Sequence, residues 1–190
     1  MTFSFLVFYG SYRENRAGIR LADYCVRELG GRGHEVELID AKAIGLPILD
    51  QRLSDYAPGA APEAMTTLAR KISAADGFVF VAGEYNSGMQ PGLKNLIDHF
   101  YVEWRRRPAG VVSYSAGRMA GARSSYAWHP TLTTLGIAVI PATVAVGGIT
   151  DSLDEAGEVT GSGGAALARS FPAFAEELEW WAGAVRAMRN

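Results

Sequence analysis

Hydrophobic and polar positions alternate along this chain in blocks, and the blocks read as strand and helix in turn. Residues 3–9 (FSFLVFY) form an unbroken apolar run that stops at Gly10. Such a run suits a strand buried on both faces. From 17 to 29, Ala17, Leu21, Cys25 and Leu29 recur every fourth position, with Ala22 and Val26 beside them, which is one face of a helix. The stretch GGRGH at 30–34 is expected to end it. Residues 35–40 (EVELID) alternate and predict a shorter strand nearer an edge. Residues 41–60 carry Gly45, Pro47 and Pro58 and predict a long irregular connection.

The second half repeats the alternation. A helix over 63–75 places Met65, Leu68, Ala69 and Ile72 on one face, and GFVFVAG at 77–83 is a second fully apolar strand. Leu93, Leu96, Ile97, Phe100 and Trp104 predict a helix over 93–104. AGVVSYSAG at 109–117 predicts a strand, and 119–135 a helix that Pro130 should kink or restart. GIAVIPATVAVGG at 136–148 is the last strand. Phe171, Phe174, Leu178, Trp181, Val185 and Met188 stripe a long final helix, and the Gly-rich stretch around Gly161 reads as the loop before it. Parallel neighbours need crossover connections, so five alternations predict an α/β fold: a doubly wound, five-stranded parallel sheet with helices on both faces. No repeat or interdomain linker interrupts it, and 1–190 is expected to be a single domain.

Composition narrows the function without naming it. With 18 Lys and Arg against 20 Asp and Glu the formal net charge is −2, which gives no general pull toward nucleic acid or an anionic membrane. Any anion site must be local. The single cysteine, Cys25, cannot form an internal disulfide, which suits a reducing compartment. The first residues lack a basic flank and no run of about 20 apolar residues exists, so the expectation is a cytoplasmic protein outside the membrane.

In open α/β sheets ligands sit outside the carboxyl ends of the strands, near the switch in strand order. Three loops predicted there carry unusual residues: GSYRENRAG at 10–18, GEYNSGMQPG at 83–92 and SAGRMAG at 115–121. The first leads into a helix, whose N-terminus offers free N–H groups and a partial positive charge. Ser11 and Asn15 add donors, and Arg13 and Arg16 add forked cations matched to phosphate. Two arginines within one turn repel unless an anion lies between them. Gly10 and Gly18 read as positions of close backbone approach. The alternative is a pair of solvated arginines with Ser11 as a helix cap. There is no G-x-x-x-x-G-K-[ST] and no G-x-G-x-x-G after the first strand, which argues against a P-loop or a dinucleotide site. A mononucleotide fits better, and the flavodoxin-like sheet, order 2-1-3-4-5, places FMN at such a point. Tyr85 beside Asn86 and Gly88 suits a planar ring lying on the second loop. Arg118 in the third loop could face a negative ring or a second nucleotide. Alternatively EYNSG is a tight turn with Tyr85 covering the core.

At these residues the sequence resembles the NADPH-dependent FMN reductase family. That family's GSxRxxRxG loop appears as GSYRENRAG, its PEYNxxxPxxLKNxID segment as GEYNSGMQPGLKNLID with Gly83 in place of the usual proline, and its S.G..GG.R loop as SAGRMAGAR. The resemblance implies that Ser11, Arg13 and Arg16 hold the FMN phosphate with the backbone near Gly18. It implies that Glu84, Tyr85, Asn86, Ser87 and Gly88 flank the isoalloxazine, and that Ser115, Ala116, Gly117 and Arg118 line its other rim. It further implies hydride passing from NADPH or NADH through FMN to a quinone, azo, metal-oxyanion or flavin acceptor, in a homodimer or homotetramer. No side chain need act as nucleophile. A non-catalytic FMN-binding electron carrier or redox-sensing module is the alternative, although arginines in the phosphate loop favour the enzyme.

Other features point away from further chemistry. His34, His99 and His129 stand at no metal-ligand spacing from one another or from Cys25; His129 follows the third loop in order and is a candidate to reach a substrate. Cys25 falls on an apolar helix face and reads as a buried, inert thiol. The WRRRP stretch at 104–108 reads as a solvated charge run, or as a contact for the 2′-phosphate of NADPH.

Overall fold

The computed structural model describes Met1–Arg189. Its five strands are β1 (Ser4–Tyr9), β2 (Glu35–Asp40), β3 (Gly77–Gly83), β4 (Pro108–Tyr114) and β5 (Ala138–Val146). They form one sheet, all-parallel as expected from the alternation, in the order β2-β1-β3-β4-β5 expected of a flavodoxin-like sheet. The chain leaves β1 toward one edge, then crosses to β3 and continues outward. The switch of direction therefore lies between β1 and β3, whose carboxyl ends diverge into a crevice.

The connecting helices are α1 (Gly18–Gly31), α2 (Ala41–Ile44), α3 (Glu63–Ala74), α4 (Pro91–Asp98), α5 (Ala122–Thr134), α6 (Ile149–Ser152) and α7 (Gly161–Arg189). Side chains of β1 alternate between two cores. Phe5, Val7 and Tyr9 join Leu21, Cys25, Phe171, Phe174 and Leu178 beneath α1 and α7. Leu6 and Phe8 join Leu68, Ile72, Leu96, Trp104 and Trp128 beneath α3, α4 and α5. This two-sided burial is why β1 and β3 read as continuous apolar runs, whereas the edge strand β2 alternates.

Five expectations about the elements need correction. The helix predicted over 93–104 ends at Asp98, and Val102–Trp104 is a separate 3-10 turn. The indole Nε1–H of Trp104 donates to the carbonyls of Ile97 and Phe100, each at 3.2 Å, so the last apolar residue of the stripe caps the helix that it seemed to continue. The segment 41–60 is not wholly irregular, since it holds α2 and a 3-10 turn at Leu53–Asp55. Helix α1 runs through Gly30 to Gly31 rather than stopping before them. Helix α5 passes through Pro130 as one helix. The missing N–H would have met the carbonyl of Tyr126, a solvent-exposed residue. The Gly-rich stretch forms the first turn of α7 rather than a loop, because Cβ atoms on Gly163 or Gly164 would overlap Ser152 of α6.

The far end of the sheet is tied together by charge. Asp76 accepts from the Ser4 N–H at 3.1 Å and from Arg189 and Arg186 of α7 at 2.7 and 3.3 Å, so the last helix is anchored to the starts of β1 and β3. Arg107 donates to the carbonyls of Ser73 and Ala75 at the end of α3.

Candidate functional site

The three loops converge at the carboxyl ends of β1, β3 and β4. The first, from Gly10 to Ala17, is held from below. A Cβ on Gly10 would overlap Leu93, and a Cβ on Gly18 would overlap the Tyr114 ring. Both glycines thus answer to a close approach, but the approaching atoms belong to the protein, which corrects the expectation that they clear space for a ligand. Ser11 is 2% exposed and its hydroxyl meets the Tyr85 hydroxyl at 2.8 Å, joining the first loop to the second. It is not a helix cap. Ala17 stands at the N-cap of α1, no side chain caps that helix, and no acid occupies its first turn. Among the described residues, the N–H groups of Tyr12, Arg13, Glu14, Asn15 and Arg16 donate to nothing. A loop with a row of free N–H groups, leading into an acid-free helix start, fits an anion.

The two arginines part company. Arg16 turns to Asp40, at the end of β2, with contacts of 2.7 and 2.6 Å, and also donates to the Ser11 carbonyl at 3.2 Å. The anion that Arg16 faces is therefore a carboxylate of this chain, and this corrects the expectation that both guanidinium groups stand open to a phosphate. Arg13 is exposed and has no ion-pair partner among the described residues. It lines a largely apolar cavity of about 370 Å³ with Tyr12, Leu46, Ile48, Tyr85 and Pro91.

The second loop is a tight two-residue turn. Tyr85 and Gly88 exchange backbone hydrogen bonds at 3.0 and 2.9 Å, and the central residues Asn86 and Ser87 both hold positive φ, 48° and 65°. Asparagine tolerates that region; serine does so at some cost. The turn leaves the N–H groups of Asn86 and Ser87 outside any hydrogen bond among the described residues. Glu84 does not reach into the crevice. Its carboxylate accepts from the Arg123 N–H at 3.0 Å and from the Arg123 guanidinium at 3.4 Å, capping the start of α5, and the same guanidinium donates to the Ser87 hydroxyl at 3.3 Å.

The third loop, Ser115–Arg118, is locked to the end of β5. The Ser115 hydroxyl donates to the Gly117 carbonyl at 2.8 Å, the Ser115 carbonyl accepts from Ile149, and the Gly117 carbonyl accepts from Gly148. A Cβ on Gly147 would press on the carbonyls of Gly117 and Arg118 at 3.1 and 3.2 Å. Ala116, Gly117 and Arg118 are exposed at the rim.

Of the predicted residues, Ser11 stands against Tyr85 and Ser87 against Arg123, while Ser115–Arg118 follow the adjacent strand β4. Sequence reading missed Asp40, Tyr9, Gln90, Tyr114 and Arg123. Asp40 was findable, because it ends the strand paired beside Tyr9 in the 2-1-3 order. Gln90 and Arg123 carried no such signal.

The remaining candidates lie elsewhere. His34 packs against Glu179, His99 is buried with Nδ1 at 2.8 Å from the Asn95 carbonyl, and among the described residues no group of three metal-ligating side chains exists. Cys25 is fully buried, and burial pushes its thiol up. Arg105–Arg107 sit at the opposite end of the sheet, before β4, so they cannot meet a ligand in this crevice. No helix among the described residues is long and apolar enough to cross a membrane.

A five-stranded, all-parallel sheet in the order 2-1-3-4-5 defines a flavodoxin-like α/β domain. The NADPH-dependent FMN reductase family matches residues 3–151, and the chain belongs to that family. An NAD(P)H-dependent FMN reductase of Schizosaccharomyces pombe is 37% identical over 119 residues, covering 57% of this chain and 56% of that protein. The match thus spans little more than half of the relative. Among solved structures, the flavoenzyme NAD(P)H:(acceptor) oxidoreductase FerB of Paracoccus denitrificans superposes with a TM-score of 0.75 at 24% identity, covering 93% of this chain and 97% of that one. A flavodoxin of Pseudomonas aeruginosa superposes with a TM-score of 0.59 at 15% identity, covering 93% and 99%. Both share the fold.

Proposed function

We propose that this chain is an FMN-dependent NAD(P)H oxidoreductase. The observation that carries the proposal is the loop leading into α1, whose N–H groups from Tyr12 to Arg16 donate to nothing among the described residues, with the exposed Arg13 beside it and Ser11 of the same loop against Tyr85 of the Tyr85–Gly88 turn. That donor set fits a phosphate ester, and the turn supplies a flat platform with two further free N–H groups.

In this reading the backbone at 12–16 and Arg13 hold the phosphate. Arg16 works indirectly: paired with Asp40, and donating to the Ser11 carbonyl, it fixes the loop. Asn86 and Ser87 direct N–H groups at the ring edge, where they stabilise negative charge that accumulates on reduction. Ser115–Arg118 close the opposite rim. Bound FMN would supply the two-electron chemistry, between NAD(P)H and a small acceptor. Glu84, pinned by Arg123, holds the turn in its strained form. The acceptors this family reading favours are quinone, azo, metal-oxyanion or flavin compounds.

A homo-oligomer belongs to the same reading. Ile48, 89% exposed, stands beside the apolar cavity, and Trp180 is 66% exposed on α7. These uncovered side chains support a second copy, whereas Leu96, Ile97, Phe100 and Trp104 are all consumed by the core.

The test is an absorbance and fluorescence titration of the purified chain with FMN, followed by NADPH or NADH under anaerobic conditions. The reading expects saturable FMN binding and bleaching by at least one pyridine nucleotide. Binding without bleaching by either would replace it with a flavin carrier, and no binding would remove it.

A further inference from the structure

Beneath the first two loops the buried polar side chains form one directed chain of hydrogen bonds. Gln90 Nε2 donates to the Tyr114 hydroxyl at 2.7 Å, the Tyr114 hydroxyl donates to the Tyr9 hydroxyl at 3.5 Å, and the Tyr9 hydroxyl donates to the Arg16 carbonyl at 3.4 Å. Each hydroxyl accepts once and donates once. Gln90 closes the second loop at the N-cap of α4, and Arg16 is the residue before the N-cap of α1. The chain therefore runs from one candidate ligand loop to the other.

The sterics agree. The Tyr114 ring fills the space where a side chain on Gly18 or Gly83 would stand; a Cβ on Gly83 would lie 2.7 Å from its Cζ and 2.5 Å from Gln90 Nε2. This accounts for the glycine at 83, where the family pattern has proline: any ring or Cβ there would strike Tyr114. The backbone of Tyr114 takes part as well. Its carbonyl accepts from the Glu84 N–H at 3.2 Å, and a Cβ on Gly121 would press on it at 2.7 Å. The side chain of Tyr114 thus meets the start of α1 and the end of β3, and its backbone meets the segment after the third loop. Burial pushes both tyrosine hydroxyls up, so they remain donors across the physiological range.

We propose that Tyr114 is a positioning residue for the FMN site, its ring setting the distance between the start of α1 and the Tyr85–Gly88 turn and its hydroxyl locking the two through Gln90 and Tyr9. The ligand in this statement rests on the function proposed above; the spacing of the loops does not.

The experiment compares the wild-type chain with Tyr114→Phe, Tyr9→Phe and the double variant Gln90→Leu/Tyr114→Phe. FMN affinity is titrated by fluorescence, the apoprotein is melted, and amide hydrogen exchange is followed at residues 12–17 and 84–88. Replacing both partners of a buried hydrogen bond with apolar groups removes the stranded amide and restores much of the lost stability. A positioning role predicts that either tyrosine variant weakens FMN binding roughly tenfold, the worth of one net buried hydrogen bond. It predicts that exchange rises at both loops together. It also predicts that the double variant recovers melting temperature but not affinity. Recovery of affinity along with stability, or exchange that rises at one loop alone, would overturn the proposal. A wild-type chain that binds no FMN removes the proposed function, and the exchange data then decide whether Tyr114 couples the loops.

Discussion

Arg16 and Asp40 form a two-point ion pair, Nη1 to Oδ1 at 2.7 Å and Nη2 to Oδ2 at 2.6 Å, across the ends of β1 and β2. The hydrogen bond to Asp40 holds the Arg16 guanidinium above its ordinary range. The same carboxylate caps α2 by accepting from the Lys42 N–H at 3.1 Å, and the guanidinium lies 5.6 Å from the centre of the Tyr9 ring. Arg16 is thereby a structural cation at the edge of the site, and Arg13 is the one left open to a ligand.

That division makes the two arginines separable. Arg16→Gln is expected to lower the stability of the apoprotein by about 1–2 kcal/mol, since it strands a largely buried carboxylate. Arg13→Gln should leave the urea midpoint unchanged and weaken FMN binding about 10- to 100-fold, the range for one charge-assisted contact. Equal effects of both variants on stability would contradict the assignment.

The turn at Asn86–Ser87 stores strain in Ser87, whose φ is 65°. Ser87→Gly should raise stability by about 0.5–1 kcal/mol, and Ser87→Val should lower it by more than that, because a β-branched residue tolerates positive φ poorly. Thermal melts of the two variants would show opposite shifts if the turn has this shape in solution.

Acid should loosen the pairing of α7 with the turn after α1. Glu179 accepts from Arg32 at 2.5 and 2.9 Å and meets His34 at 2.9 Å. The Arg32 hydrogen bond, aided by His34, holds the carboxyl below its ordinary 4.5. A depressed acid contributes stability above its unfolded value and loses it as pH falls through the folded one. Wild type should therefore exceed Glu179→Gln in stability at pH 7, with the gap closing below about pH 4.5, as read from urea midpoints.

At the alkaline end the sign is reversed. Burial raises Tyr114 above its ordinary 10.0, so its contribution is complete below pH 10 and is lost as the unfolded chain ionises above it. Stability of the wild-type chain should fall more steeply between pH 10 and 11 than that of Tyr114→Phe. Parallel curves would mean that the hydroxyl is open to water.

Asp76 offers a control far from the site. It accepts from Ser4, Arg186 and Arg189. Asp76→Ala is expected to cost about 2–3 kcal/mol by stranding those donors, while FMN affinity in the surviving folded fraction stays as in wild type.

Periodicity and punctuation were enough to place five parallel strands and the three loops at their carboxyl ends, because an apolar run buried on two faces and a helix buried on one leave different marks on a linear chain; their order followed from the likeness to a flavodoxin-type sheet. They also located Ser11, Arg13 and the Tyr85–Gly88 turn. What they could not settle was partnership. Arg13 and Arg16 look equivalent in GSYRENRAG, and only the packing of β2 beside β1 brings Asp40 to Arg16 and leaves Arg13 unpaired. Trp104 continues a helical stripe on paper, yet its indole turns back to cap that helix. Gly18 looks like a point of close approach for a ligand, whereas it is the Tyr114 ring from a distant strand that makes the approach. For Arg16 and Gly18 the deciding atom is far away in sequence, so no local pattern carries its position, and the balance of charge and space is set where the chain folds back on itself.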